Sequence, residues 1–87
     1  MDFGRAIESL KRGEKVSRSG WNGVGMWLFL VQGSKGIVTG PPLLGLYLEG
    51  TECVYQPYVV MKTAQGTIVP WACSQSDMLA GDWGTLA

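Results

Sequence analysis

Residues 2 to 12 carry an apolar stripe of helical period with a start and a stop signal. Phe3, Ala6, Ile7 and Leu10 fall at i, i+3, i+4 and i+7, on one side of a helix. Asp2 stands where an N-cap side chain accepts a backbone N–H, and Gly13 suits the left-handed residue that follows a helix. Lys11 and Arg12 occupy the last turn, where the helix dipole favours cations. Gly4 weakens this helix by up to about 1 kcal/mol relative to Ala. A helix with one apolar side must lie on something. The remainder of the chain offers mostly strands for it to lie on.

Lys15 to Ser19 alternates weakly and reads as a short strand, followed by a glycine-rich loop from Gly20 to Gly25. Met26 to Gln32 is an apolar and aromatic run bounded by glycines, which suits a buried strand. Gly33 to Gly50 reads as loop, with short strands expected at Lys35–Val38 and Leu46–Leu48. Tyr58 to Thr63 and Thr67 to Trp71 form a hairpin around Ala64-Gln65-Gly66, and Pro70 confines the second strand to an edge or an end. Ser74 to Ala80 predicts a short helix, with Ser74 as cap and Asp77 three residues on as the capping-box acid. Asp82 and Trp83 to Leu86 form a last strand or tail. The order predicts one α+β domain over residues 1–87, an N-terminal helix on a mainly antiparallel sheet with a short C-terminal helix.

Composition adds a demand for association. In 87 residues the chain is 46% hydrophobic, with four Trp, and only 16% charged, against roughly 25% charged in an average soluble domain. A domain this small buries only about 60–65% of the surface its unfolded chain exposes. Some of its apolar surface is therefore expected to face another copy of the chain. The seven basic and seven acidic residues cancel, which provides no broad basic face for a nucleic-acid polymer. One or two phosphates in a pocket need only an arginine and some backbone N–H groups. The longest apolar run, Met26 to Val31, is far shorter than the roughly 20 residues of a membrane span. No export signal is read at the N-terminus, so Cys53 and Cys73 are expected reduced and buried. Two cysteines without histidine make a poor zinc site, and no metal or cofactor is expected.

The absence of histidine removes the usual neutral-pH base and with it any Ser-His or Cys-His pair. Asp77 and Asp82 can be read as an acid–base pair, against the plainer roles of cap and surface charge. The glycines between Gly20 and Gly25 match neither the dinucleotide fingerprint nor the P-loop. Binding is better supported than catalysis. Trp21 lies in a loop beside Asn22, and Trp71 lies at a strand end just before the Ser74 helix. Trp27 and Trp83 read as core. A loop tryptophan among amide and hydroxyl groups is a stacking surface for a purine, worth roughly 1–3 kcal/mol per base. Asn22 and Gln75 offer donor–acceptor pairs for a base edge or ribose, and Arg18 a forked contact for a phosphate. The same two tryptophans can equally fill an interface between subunits.

Two groups of residues carry a more specific likeness. The first is Phe3-Gly4-x-Ala6-Ile7-x-x-Leu10-Lys11-x-Gly13 with Arg18-x-Gly20-Trp21-Asn22-Gly23-x-Gly25-Met26. The second is Met61-Lys62-Thr63-Ala64-x-Gly66-x-Ile68-Val69-Pro70-Trp71 with Ser74-Gln75-x-Asp77-Met78-Leu79-Ala80-x-Asp82-Trp83. Together they resemble the small phage-borne Thoeris anti-defence family of the second type, across nearly the whole chain. Residues 33–56 match least, and Gly84 and the tail depart from a more polar ending. The resemblance implies a non-catalytic sponge that captures the cyclic ADP-ribose isomer made by a bacterial Thoeris TIR enzyme. It also implies a homotetramer, a dimer of dimers with ligand between protomers, in the cytoplasm of the infected bacterial host. Carried over to this chain, the ligand-binding residues are Trp21, Asn22 and Trp71, then Arg18, Gln75 and Asp77.

Overall fold

A five-stranded antiparallel sheet with two helices on one face, and a two-stranded arm growing out of one end, make up the molecule. This computed structural model describes residues 1–21 and 24–86. Its elements in chain order are α1 (Phe3–Lys11), β1 (Lys15–Arg18), β2 (Trp27–Val31), β3 (Ser34–Ile37), β4 (Glu52–Tyr55), β5 (Tyr58–Lys62), β6 (Ile68–Pro70), α2 (Gln75–Leu79) and β7 (Trp83–Leu86). The expected α+β architecture is therefore the observed one, helix and short helix included. Asp2 caps α1 through the N–H of Arg5 at 2.9 Å, and Gly13 leaves it at φ 86°.

The sheet order is β6-β5-β2-β1-β7, so the Met26–Gln32 run supplies the central strand. Val16 pairs with Leu28, and Leu28 with Met61, which lines these three side chains up on one face. Ala6 and Leu10 of α1 close over Val16, Leu28 and Trp83 to form the buried core, with Ile7, Leu30, Val59 and Met61 packed around it. Alternation puts Trp27, Phe29 and Val31 on the opposite face. Trp27 is half-buried there with the Lys15 ammonium 5.1 Å from its ring centre, so of the two tryptophans read as core only Trp83 lies in it.

The arm is where expectation and structure part. β3 covers most of the expected Lys35–Val38 strand, but Leu46–Leu48 is not a strand. Gly45 and Gly50, at φ 104° and 86°, turn the chain on both sides of that segment. The partner of β3 is instead β4, in the register Ser34↔Tyr55 to Ile37↔Glu52. β3 and β4 pack against no helix or strand but each other. The molecule is accordingly long, 45 × 26 × 26 Å. Its radius of gyration is 15.7 Å, against about 12 Å for a compact domain of this length.

Candidate functional site

The end of β1 and the segment from α2 into β7 come together on the helix-covered face. Register places Arg18 opposite Trp83, on the same side as Val16. Trp83 is 3% exposed and sits at the centre of an aromatic group. Trp21 meets it edge-on at 5.3 Å between ring centres, Phe3 lies at 5.4 Å, and Trp71 is edge-on at 6.2 Å. Edge contacts of this kind favour the ring quadrupoles. The Trp83 indole N–H donates to the Asp77 carbonyl at 3.0 Å, which ties α2 to the sheet.

Arg18 is clamped between two carboxylates. Its Nε donates to Asp82 Oδ1 and its Nη1 to Asp77 Oδ1, each at 2.7 Å. The three side chains are only 20%, 15% and 31% exposed in the order Arg18, Asp77, Asp82, so these pairs are better shielded than ordinary surface bridges. Asp77 Oδ1 also accepts the Trp21 indole N–H at 3.0 Å. Asp82 Oδ2 accepts the Gly20 backbone N–H at 2.7 Å and the Ser19 hydroxyl at 3.3 Å. A Cβ at position 20 would lie 2.8 Å from Asp82 Oδ2, so a larger residue there would displace the carboxylate from Arg18.

The electrostatics follow from this clamp. Burial pushes the Asp77 carboxyl up, but hydrogen bonds from Trp21 and Arg18 outweigh it and hold it below the usual carboxylate range. Asp82 is held down chiefly by the Arg18 hydrogen bond, against an opposing contribution from desolvation. The two aspartates in turn raise Arg18. Both carboxylates are thus committed acceptors and poor proton carriers at neutral pH. Ser74 caps α2 as expected, taking the Asp77 N–H at 3.0 Å. The Asp77 carboxylate, expected to reach back to the Ser74 N–H, instead accepts from Arg18 and Trp21, a long-range role that the capping pattern does not reveal. Among the described residues no three Cys, Asp or Glu side chains gather to hold a metal ion.

Beside this network a cleft of about 360 Å³ opens between Ser17, Arg18, Ser19, Trp21, Val24, Gly25, Met26 and Leu86. That lies near the low end of the roughly 300–1,000 Å³ of small-molecule sites. Of the residues expected to bind, Arg18 and Trp21 line it. Asp77 stands behind them and orients both. Trp71 lies on another side of Trp83, packed against Phe3, and does not line the cleft. Gln75 is exposed in the first turn of α2, and Asn22 lies outside the described residues. Cys53 and Cys73 are free as expected, but half-buried rather than buried. Asp82 was expected as a surface charge, and its part in holding Arg18 spans 64 residues of sequence. Nothing local signals such a contact.

Comparison with known proteins adds two findings. The family model of the Thoeris anti-defense 2-like domain matches residues 1–86. A Bacillus phage SP01 protein described as "Thoeris anti-defense 2" is 43% identical over 84 residues, which cover 95% of this chain and 91% of that one. Among the described residues no helix is long and apolar enough to cross a membrane.

Proposed function

The chain belongs to the Thoeris anti-defense 2-like family, and on that footing we propose that it blocks Thoeris anti-phage defence by sequestering the system's cyclic ADP-ribose-type signal. It does so without turnover, in the cytoplasm of the infected host, as a homotetramer assembled as a dimer of dimers.

The observation that carries this reading is the preset tryptophan at the mouth of the cleft. Trp21 is fixed through its N–H to Asp77 and braced edge-on by Trp83. A ring held in place before the ligand arrives spends no ordering entropy on binding. One face of an adenine stacks on it, for roughly 1–3 kcal/mol. Arg18 supplies the positive charge for the phosphates. Its Nε and Nη1 are already engaged, so Nη2 makes the contact, a single-nitrogen grip in place of the full fork. Asn22 and Gln75 read the base edge or ribose, and Trp71 closes on the ligand from a second protomer. A sponge effective at low signal abundance needs nanomolar affinity, about −12 kcal/mol. A site shared by two rigid subunits supplies the enclosure that one shallow cleft lacks.

The absence of turnover is supported by the committed state of Asp77 and Asp82. The test is to incubate the protein with the cyclic nucleotide, denature it by heat and identify what is released. The expected result is the intact cyclic compound. A linearised product would make the protein a hydrolase. Trp21→Ala should weaken binding at least tenfold by calorimetry, while Trp21→Phe keeps most of the stacking. A flat titration with the unmodified protein would show that it binds something else.

A further inference from the structure

We propose that Lys62 is a positioning residue for the cleft, its ammonium holding the wall formed by residues 24–26 in the shape that a ligand meets. The effect on binding rests on the reading of the cleft as the ligand site, whereas the hold on the wall does not.

Val24, Gly25 and Met26 are three of the eight residues that line the cleft. Packing does little to fix them. Val24 is 94% exposed, and the segment lies outside helix and strand. Among the described residues no backbone N–H donates to the Gly25 carbonyl. The Lys62 ammonium does, at 2.9 Å and across 37 residues of sequence. A hydrogen bond from a charged donor is roughly twice as strong as a neutral one. A wall with so little else behind it keeps or loses its shape by this contact.

The fold explains why position 62 can reach. β5 runs antiparallel to β2 with Lys62 directly opposite Trp27, the first residue after the wall. A long, flexible stem carries the ammonium past the end of β2 to the Gly25 carbonyl. Gly25 leaves room for it, since a Cβ there would lie 3.3 Å from Lys62 Nζ. Its φ of 80° is also one that a side chain resists. At the entry to the same loop Asp82 holds the Gly20 N–H at 2.7 Å. The two ends are thus pinned by opposite charges, an anion on an N–H and a cation on a carbonyl. Lys62 itself does not line the cleft, so it acts on a ligand through the wall. A wall set before the ligand arrives spares the entropy of ordering it.

The experiment compares Lys62→Met, which keeps the stem and removes the donor, with Lys62→Arg, which restores a donor. Nitrogen-15 relaxation is measured first, on the free protein. Backbone order parameters of residues 24–26 should fall from about 0.85 to about 0.6 in Lys62→Met and recover in Lys62→Arg. Those of the five-stranded sheet should stay unchanged in both, which shows that the fold is intact. Calorimetry with a cyclic ADP-ribose isomer comes second. Lys62→Met should raise the dissociation constant about fivefold or more, and Lys62→Arg should stay within about twofold of the unmodified chain. Order parameters that do not move would overturn the proposal, and weakened binding beside them would make Lys62 a direct ligand contact. A loosened wall with unchanged affinity would overturn it too, leaving the sponge intact. A flat titration of the unmodified chain would instead refute the sponge, and the order parameters would still decide whether Lys62 holds the wall.

Discussion

At one end of the molecule Trp83 is enclosed by three aromatic rings, an ion-paired arginine and a helix. At the other, Ile37 and Val54 stand bare on a hairpin that no other element touches. Both ends are rich in large apolar side chains, so composition does not separate them. Layering does. The first end has α1 laid over the sheet with α2 against α1, and long-range hydrogen bonds tie Arg18, Asp77 and Asp82 into one unit. In the arm only the 38–51 loop lies against the hairpin, which buries Val38 but leaves Ile37 and Val54 exposed. Similar residues hold the protomer together in one place and stand exposed to solvent in the other.

Identical chemical changes at the two ends should therefore have unequal effects. Trp83→Ala should be the most damaging, lowering unfolding free energy by about 3–5 kcal/mol. That is a large part of what a domain of this size possesses. Urea denaturation followed by far-ultraviolet circular dichroism measures it, and a loss below 1 kcal/mol would mean that the covered end is not the stabilising one. Leu28→Ala comes next, at about 2–5 kcal/mol, since Val16, Leu10 and Met61 cannot close the gap fully.

Asp77→Asn should follow, at about 1–2 kcal/mol, because a neutral oxygen still accepts from Trp21 but no longer pairs with Arg18. The same clamp sets a pH dependence. Asp77 and Asp82 are held below their ordinary range, so the folded protein binds fewer protons than the unfolded chain. Their stabilisation is complete above the unfolded carboxylate value of about 3.9 and drains away as pH falls through it and below. Acid titration should show Asp77→Asn with a flatter loss of stability than the parent over that window. A parallel curve would mean that the clamp does not hold in solution. The smallest effect belongs to Leu48→Ala in the arm, within about 0.5 kcal/mol for the dissociated protomer. A larger loss would show that the arm folds back on its own domain.

The same contrast explains what could be read from the chain. α1, the β5–β6 hairpin and the cap of α2 carry their instructions within a few residues, in stripe, turn glycine and capping serine. The α+β class followed from these. β4 is not legible locally because the partner of Ser34–Ile37 lies beyond a long loop, where nothing local sets the pairing. The aromatic and charged residues of the candidate site stand out one by one through their types and positions. Their joining is invisible in the sequence, because Trp21 and Asp77 are 56 residues apart and meet only when β1 and β7 pair. The reading of Trp27 as core overlooked alternation, which sends it to the face opposite Leu28.

The strands flanking the arm have one more effect. β2 and β5 are direct antiparallel neighbours, with Val31 paired to Tyr58, so the chain departs and returns at adjacent points. Whatever lies between is an excursion whose length the sheet does not sense, and doubling such an excursion adds only ~0.6 kcal/mol of closure entropy. Residues 32–57 therefore form a graft point, where insertions, deletions or foreign segments leave the strand order undisturbed. Such a stretch can be rewritten while the cleft at the far end of the sheet keeps its shape.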